Sequence, residues 1–259
     1  MDTKYWGPSG WRLLHLITFT YEPANTAVGD LFRSLPFILP CKFCRASLHQ
    51  YMEDVPLEPA LKSKELLSKW LYKIHCLVNE KLRSQRLLHS KDPSFESVKK
   101  VYEDRIASGC IRTEFEGWEF LFSIAENHPL CLASKKTTPM KECPPNPPAN
   151  ATDGQRNQWN ILSPGERMDY YEAFWNSLGP SLPFKEWRTA WNACEFNKHH
   201  MQSRTSMLKE LWRIRNCLED KLELVNTDTF SGLCKQLKEH RSGCGKKKRA
   251  KTCRKAKSV

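Results

Sequence analysis

Two cysteines, Cys41 and Cys44, stand in "LPCKFCRASLHQYMED", directly behind Pro40 and at the head of a segment that reads as an amphipathic helix. A C-x-x-C pair serves as half of a zinc site, as a structural staple, or as a dithiol that exchanges with other disulfides. Zinc would draw on Cys41, Cys44 and His49 in a C-x2-C-x4-H pattern, with His75 or Cys76 as a fourth ligand. The spacing serves zinc poorly: His49 lies more than a turn along the same helix, whereas strong zinc signatures show a second closely spaced ligand pair. A redox pair suits the setting better. The bracket permits a short-range disulfide, and a helix N-terminus stabilises a thiolate, the nucleophile of disulfide exchange. Lys42 and Arg45 add positive charge nearby.

Two further pairs stand at helical spacing. Trp11 and His15 are four apart, as are His75 and Asn79, so each pair lies on one face of its helix. Taken singly, each residue reads as an ordinary core or surface group of a bundle. Together with the cysteines they could surround a planar, polar, electron-accepting cofactor, since ligand sites in bundles form between facing helices.

The elements that must position these groups are helical. Apolar residues from Ser9, a plausible cap, recur at Trp11, Leu14, Ile17 and Tyr21. A second helix is expected over 27–38, and a third starts at Cys41 and runs toward Pro56 and Pro59. Leu67, Leu71, Ile74, Val78 and Leu82 form the most continuous apolar stripe in the chain. "DPSFESVKKVYEDRIAS" reads as a helix stopped near Gly109, and "EFEGWEFLFSIAENHP" as a short one closed by Pro129. Residues 1–130 thus read as a compact helical bundle. The Pro-rich stretch 131–158 reads as a linker that does not pack. Helical periodicity returns over 159–238, where Trp175, Trp187, Trp191 and Trp212 are available for a small second core, and 239–259 is a basic tail.

The chain has 259 residues, 40% of them hydrophobic, and no apolar run approaching the ~18 to 20 residues of a membrane span. Its N-terminus lacks the basic n-region and cleavage site of a secretory signal, so a cytoplasmic protein with no membrane partner is expected. Formal net charge is +12, but the last nineteen residues hold nine Lys or Arg and no acid. That tail is either a solubilising segment or a docking arm for an acidic partner or nucleic acid. Eleven cysteines without a secretory signal point either to metal ligation or to thiol chemistry as the function.

"WGPSGWRLLHLITFTY", "LPCKFCRASL" and "WLYKIHCLVNEKL" resemble, in order and spacing, the FAD-dependent sulfhydryl oxidases of the Erv/ALR family, over residues 4–107. The resemblance extends to the members encoded by large DNA viruses, which carry extra C-terminal domains. It implies an all-α fold, a four-helix bundle with a short fifth helix, holding FAD at its mouth. It implies that Trp11, His15, His75 and Asn79 contact FAD, with Tyr21 and Lys81 on the same stretches. Cys41 and Cys44 become the pair beside the flavin, Cys41 exchanging with protein thiol substrates, and electrons pass to O2 with release of hydrogen peroxide. Homodimerisation through the bundle helices and a mobile shuttle pair are further implications. For the shuttle, Cys244 with Cys253 in the tail is favoured over Cys131 with Cys143. The disulfide that joins the fourth and fifth helices in many relatives is missing, since its positions fall near Tyr72 and Ser97. The reading from another class is a zinc-stabilised helical module whose basic tail binds nucleic acid or an acidic partner.

Overall fold

Why the first helix starts where it does is decided by Asp2. Its carboxylate accepts from the Lys4 amide at 3.0 Å and caps α1 (Thr3–Phe19), so that Trp6 enters the core. The start expected at Ser9 is therefore about two turns late. Pro8 sits inside the helix, and Ser9 is buried with its hydroxyl accepting from the Phe120 amide at 3.5 Å. The computed structural model describes residues 1–110, 114–131, 139–225 and 228–241. Cys244 and Cys253 lie outside the described residues.

The next elements are α2 (Thr26–Ile38), α3 (Lys42–Asp54), a 3-10 turn (Glu58–Lys62) and α4 (Lys64–Ser84), whose N-cap Ser63 accepts from Leu66 N at 3.2 Å. Of the stripe on α4, Leu67, Leu71 and Ile74 are buried in the bundle. Val78 and Leu82, one and two turns further on, are half-buried and line a cavity together with Leu71 and Ile74. Helix α5 (Phe95–Ala107) begins at the Ser94 cap and stops before Gly109, whose φ of +67° suits glycine. Helix α6 (Trp118–Glu126) follows Gly117, where φ is +123° and a side chain would press on Leu13. Helix α1 packs on α4, α3 bridges α2 and α4, and α5 lies against α1, as in a four-helix bundle with a short fifth helix.

Every element among the described residues is helical. No helix among them is long and apolar enough to cross a membrane.

The seam between α4 and α5 carries no disulfide. Tyr72 donates its hydroxyl to Pro93 O at 2.8 Å and meets Phe95 edge-on at 5.5 Å, while Phe19 stacks on Tyr102 at 5.4 Å. Aromatic packing and one hydrogen bond hold the fifth helix where a covalent bridge was found to be missing from the sequence.

The stretch expected to be an unpacked linker is folded at its end. Thr152 and Gln155 form a capping box that starts α7 (Asp153–Gln158). This short helix lies on α3, so close that a methyl group at Gly154 would run into the His49 imidazole. The Pro-rich composition obscured a six-residue helix held by packing rather than by propensity.

Beyond it, α8 (Pro164–Ser181) begins with a second capping box, Ser163 and Glu166, and Pro164 in its first turn. It runs antiparallel along α2: Asn25 donates to Pro180 O at 2.9 Å at one end, and Tyr170 stacks on Phe37 at 3.6 Å at the other. Then come α9 (Lys185–Ala193), a 3-10 turn (Lys198–Gln202), α10 (Arg204–Lys221) and α11 (Phe230–Glu239), with a disulfide from Cys194 to Cys217 joining the end of α9 to α10. Trp175, Trp187 and Trp191, expected to form a second core, belong to one apolar cluster that is continuous with the bundle. Apolar surface of α1 and α2 that a lone bundle would expose is covered by α6 and α8 of the same chain.

One continuous core should unfold as one unit. Phe174 on α8 is fully buried and meets Phe120 of α6 edge-on at 6.3 Å. Phe174→Ala should cost about 3–5 kcal/mol and lower a single thermal transition seen alike by tryptophan fluorescence and circular dichroism. Two separate transitions, with the first unmoved, would show that the bundle and the C-terminal helices are independent.

Candidate active site

Leu39 and Pro40 set up the cysteine pair. A residue before proline is driven to extended backbone, and Leu39 has ψ 138°, which ends α2 and turns the chain into α3. Cys41 is the N-cap of α3, and its carbonyl accepts from the amides of Cys44 and Arg45, both at 3.0 Å. Both cysteines are half-buried and stand at the positive end of the helix. Arg45, which the sequence offered only as nearby charge, is buried, with its guanidinium donating to Leu39 O at 2.9 Å and to Asn160 Oδ1 at 3.1 Å.

The zinc ligand set does not assemble. His49 Nε2 pairs with Glu53 at 3.4 Å, and among the described residues no group of three or more His, Cys, Asp or Glu side chains is placed to hold a metal ion. Cys76 lies beside Tyr72 and Asp92, and burial pushes its thiol pKa up.

A cavity of about 470 Å³ opens between α1, α3 and α4, within the size range of small-molecule sites. Cys44, Trp11, His75, Asn79 and Lys81 line it, and the rest of the wall is largely apolar. Cys41 is not part of that wall. Trp11 stacks on His75 with ring centres 3.8 Å apart and planes 8° off parallel. Behind them His15 Nε2 meets His75 Nδ1 at 3.2 Å, while its own Nδ1 is buried without a hydrogen-bond partner. Lys81 Nζ donates to Ser47 Oγ at 2.6 Å, tying α4 to α3.

Asn79 is held from behind by Asp92, whose Oδ1 accepts from Nδ2 at 2.7 Å while its Oδ2 pairs with Arg83 at 2.7 Å. Arg83, then Asn79, holds the Asp92 carboxyl below its ordinary range. The Asn79–Asp92–Arg83 chain has no local signal in the sequence, because Asp92 lies thirteen and nine residues from its two partners. Tyr21 is placed elsewhere. Its ring is in the core and its hydroxyl donates to Leu61 O at 2.9 Å.

Both histidines are kept neutral. Burial, helped by His75, lowers the pKa of His15 to about 3, and burial lowers that of His75 to about 4 against the pull of Asp92. The two histidines therefore present aromatic faces and uncharged polar edges to the wall, where Lys81 brings a positive charge, a setting suited to a planar ligand that accepts electrons. Both folded-state values lie below the unfolded ~6.5, so the unfolded chain takes up protons first as pH falls. Stability is fully present above pH ~6.5 and declines below it, by up to about 1.4 kcal/mol per pH unit for each histidine. His49 and His128 are shifted in the same direction, so the diagnostic quantity is a difference between variants. His75→Asn should lose less stability than wild type between pH 7 and pH 5 in parallel urea titrations. Equal losses would mean that His75 is not held neutral.

The Erv1 / Alr family model matches residues 8–102, a span that includes both cysteines and Trp11, His75, Asn79 and Lys81 of the cavity wall. Among curated proteins, the probable FAD-linked sulfhydryl oxidase of Acanthamoeba polyphaga mimivirus is 30% identical over 108 residues, covering 39% of this chain and 73% of that protein. The mitochondrial FAD-linked sulfhydryl oxidase of Saccharomyces cerevisiae is 30% identical over 90 residues, covering 33% of this chain and 47% of that protein. A putative FAD-linked sulfhydryl oxidase of Invertebrate iridescent virus 3 is 26% identical over 92 residues, covering 34% of this chain and 62% of that protein. No solved structure matches the chain significantly. The family match falls on the segment that carries the cysteine pair and most of the cavity wall, and with a mimivirus relative 30% identical and covered to 73% of its length, the chain belongs to the Erv1/Alr family.

Proposed function

We propose that this chain is an FAD-linked sulfhydryl oxidase that makes disulfide bonds in thiol-containing proteins, with Cys41 and Cys44 as its redox-active pair. The observation that carries this reading is the presence of Cys44 on the same cavity wall as Trp11, His75 and Asn79. That wall fits FAD: it offers a flat stacked pair, an orphaned buried nitrogen on His15 behind it, and neutral polar groups at one edge. Trp11, His15, His75, Asn79 and Lys81 would hold the cofactor. When bound, FAD supplies a two-electron acceptor for the dithiol and a route for that pair to O2, which leaves as hydrogen peroxide.

The chain's own residues divide the thiol chemistry. Cys41, at the helix cap and off the cavity wall, is the sulfur for substrate. A substrate thiolate attacks Cys41 Sγ of the oxidised pair, forming a mixed disulfide and releasing Cys44 as thiolate. A second substrate thiol then displaces Cys41, so that two substrate thiols lose two electrons and two protons and the cysteine pair gains them. Cys44 faces the cavity for reoxidation. The net change is two thiols and O2 to one disulfide and hydrogen peroxide. Tyr21, bonded to Leu61 O, serves packing in this scheme.

A shuttle from bulky substrates falls to Cys244 with Cys253, in the tail. The other pair is less suited: Cys131 follows a turn fixed by His128, whose Nδ1 accepts from Leu130 N at 3.1 Å. A homodimer, the expected assembly, would need a face other than the one on α2 that α8 already covers. The zinc-module reading has no ligand cluster among the described residues to support it.

The purified protein should be yellow, with a flavin absorption band. Cys41→Ser and Cys44→Ser should each reduce dithiothreitol-driven oxygen uptake at least a hundredfold with the flavin retained. Full turnover by either variant would overturn the role of the pair. His75→Ala and Asn79→Ala should purify with less than half the flavin of wild type, and a full complement in both would displace the cofactor from this cavity. Truncation after Arg241, which keeps the Arg241–Glu126 ion pair, should slow oxidation of a reduced protein several-fold and leave dithiothreitol oxidation unchanged. No effect on either substrate would remove the tail from the electron path.

A further inference from the structure

Two arginines stand out because nothing in the proposed chemistry uses them. Arg45 on α3 and Arg167 on α8 are each only 6% exposed, and no ion pair joins either of them to a carboxylate among the described residues. Burying a guanidinium without a carboxylate is costly, and arginine does not escape by losing its proton. What surrounds the two is backbone carbonyl and sulfur. Arg45 donates to Leu39 O and Asn160 Oδ1, and Arg167 Nε donates to Phe37 O at 3.2 Å while its Nη2 is buried without a hydrogen-bond partner. Phe37, Leu39 and Pro40 are the backbone that leads into Cys41.

The groups acting on Arg45 can be named from every side. On its own helix they are Cys41, four residues back on the same face, and Cys44, its neighbour. From the start of α1 come the α-amino group of Met1, donating to Pro40 O at 3.0 Å, and Asp2 beside that amine. From α8 comes the like charge of Arg167, which has Cys131 as its own sulfur neighbour. Burial opposes the Arg45 charge, and Cys41 and Cys44 favour it in their thiolate form. Asn160, just beyond α7, fixes one arm of the guanidinium, and its partner lies 115 residues away in sequence. Asn157 adds a bond from Nδ2 to Pro36 O at 2.8 Å, so the C-terminal segment grips the same turn at a second point.

We propose that Arg45 is a positioning residue for the Cys41–Cys44 pair, and that the C-terminal segment, through Asn160 on its guanidinium and Arg167 on the Phe37 carbonyl of the turn before the pair, holds that charge where it favours the dithiol over the disulfide. This gives the C-terminal helices a task in the redox centre: a fixed buried cation lowers the free energy of the thiolate form, so the reduced state gains and the disulfide becomes the stronger oxidant. The inference rests on the oxidase reading, since it takes the pair to be redox-active.

The test is an equilibrium titration of the full chain in glutathione buffers, in which the Cys41–Cys44 disulfide and two glutathione thiols exchange with the dithiol and glutathione disulfide. The fraction of dithiol is read by alkylation and mass spectrometry, and bound flavin and thermal unfolding report on the fold. Arg45→Met should shift the equilibrium about tenfold toward the disulfide, ~30 mV for a two-electron couple. Arg45→Lys, which keeps the charge, should stay within about threefold of wild type. Arg167→Met should shift it about threefold in the same direction, and because replacing a buried ion by an apolar group of similar volume is often neutral or better, this variant should fold. Arg167→Gln is the reserve and should shift it likewise. Unchanged equilibria in Arg45→Met and Arg167→Met overturn the proposal, and a shift confined to Arg45→Met overturns the part given to the C-terminal segment. A wild-type chain in which Cys41 and Cys44 fail to titrate as a pair overturns the oxidase reading itself.

Discussion

The position of the cysteine pair depends on how the last carbonyls of α2 are satisfied. A helix leaves its final carbonyls without internal partners, and here Pro36, Phe37 and Leu39 are all buried, away from water. Asn157 and Arg167 take the first two and Arg45 the third. Each bond prevents the ~1–3 kcal/mol penalty of an unsatisfied buried polar group, and two of the three donors come from a segment more than a hundred residues downstream. The turn is thus rigid for a tertiary reason. Aromatic contact reinforces it, since Tyr170 stacks on Phe37 one turn from Arg167. The N-cap geometry of Cys41 follows, because α3 can only start where that turn delivers the chain.

The cavity wall answers a different constraint. A site for a large planar ligand must stay open inside a bundle whose other surfaces close tightly, and its polar edges must not carry charges that burial would penalise. Trp11 and His75 meet the first need by stacking on each other at the margin instead of filling the space. His15 and His75 meet the second by remaining neutral, one supporting the other through a single ring-to-ring hydrogen bond. The Asp92–Arg83 ion pair lies behind Asn79 and touches the site only through its amide, while the charge that does reach the wall, Lys81, is tied to Ser47 on α3.

Much of the bundle was legible because each element carries a local signal. The apolar stripe on α4, the cap at Cys41 and the glycine stop at Gly109 all correspond to observed features. Ser9 misled because a serine next to a proline resembles a helix start, whereas the burial of Trp6 and the Asp2 cap draw the helix back to Thr3. Of the residues grouped from sequence around the site, the cavity gathers Cys44, Trp11, His75, Asn79 and Lys81, with His15 behind, and leaves Tyr21 aside. What the sequence hid was the polar support. Arg167, Asn157 and Asn160 lie in polar stretches with no periodicity to mark them, and their partners are carbonyls, which leave no trace in side-chain pattern. The capping box at Thr152 and Gln155 was readable, but proline content around it argued louder for a linker.

The seam between α4 and α5 has a bearing on durability. An enzyme that oxidises thiols works in continual contact with reductants, and every disulfide of its own that is reachable is a potential victim of its substrates. Where α4 meets α5, this chain relies on Tyr72 against Pro93 and Phe95, and α1 adds Phe19 against Tyr102. None of these contacts can be reduced. The one disulfide among the described residues, Cys194 with Cys217, is in the C-terminal helices, away from the cavity wall. A surge of thiols that strips this bridge would leave the α4–α5 seam chemically untouched, so the helices around the cavity tolerate the very reagent that a thiol oxidase consumes.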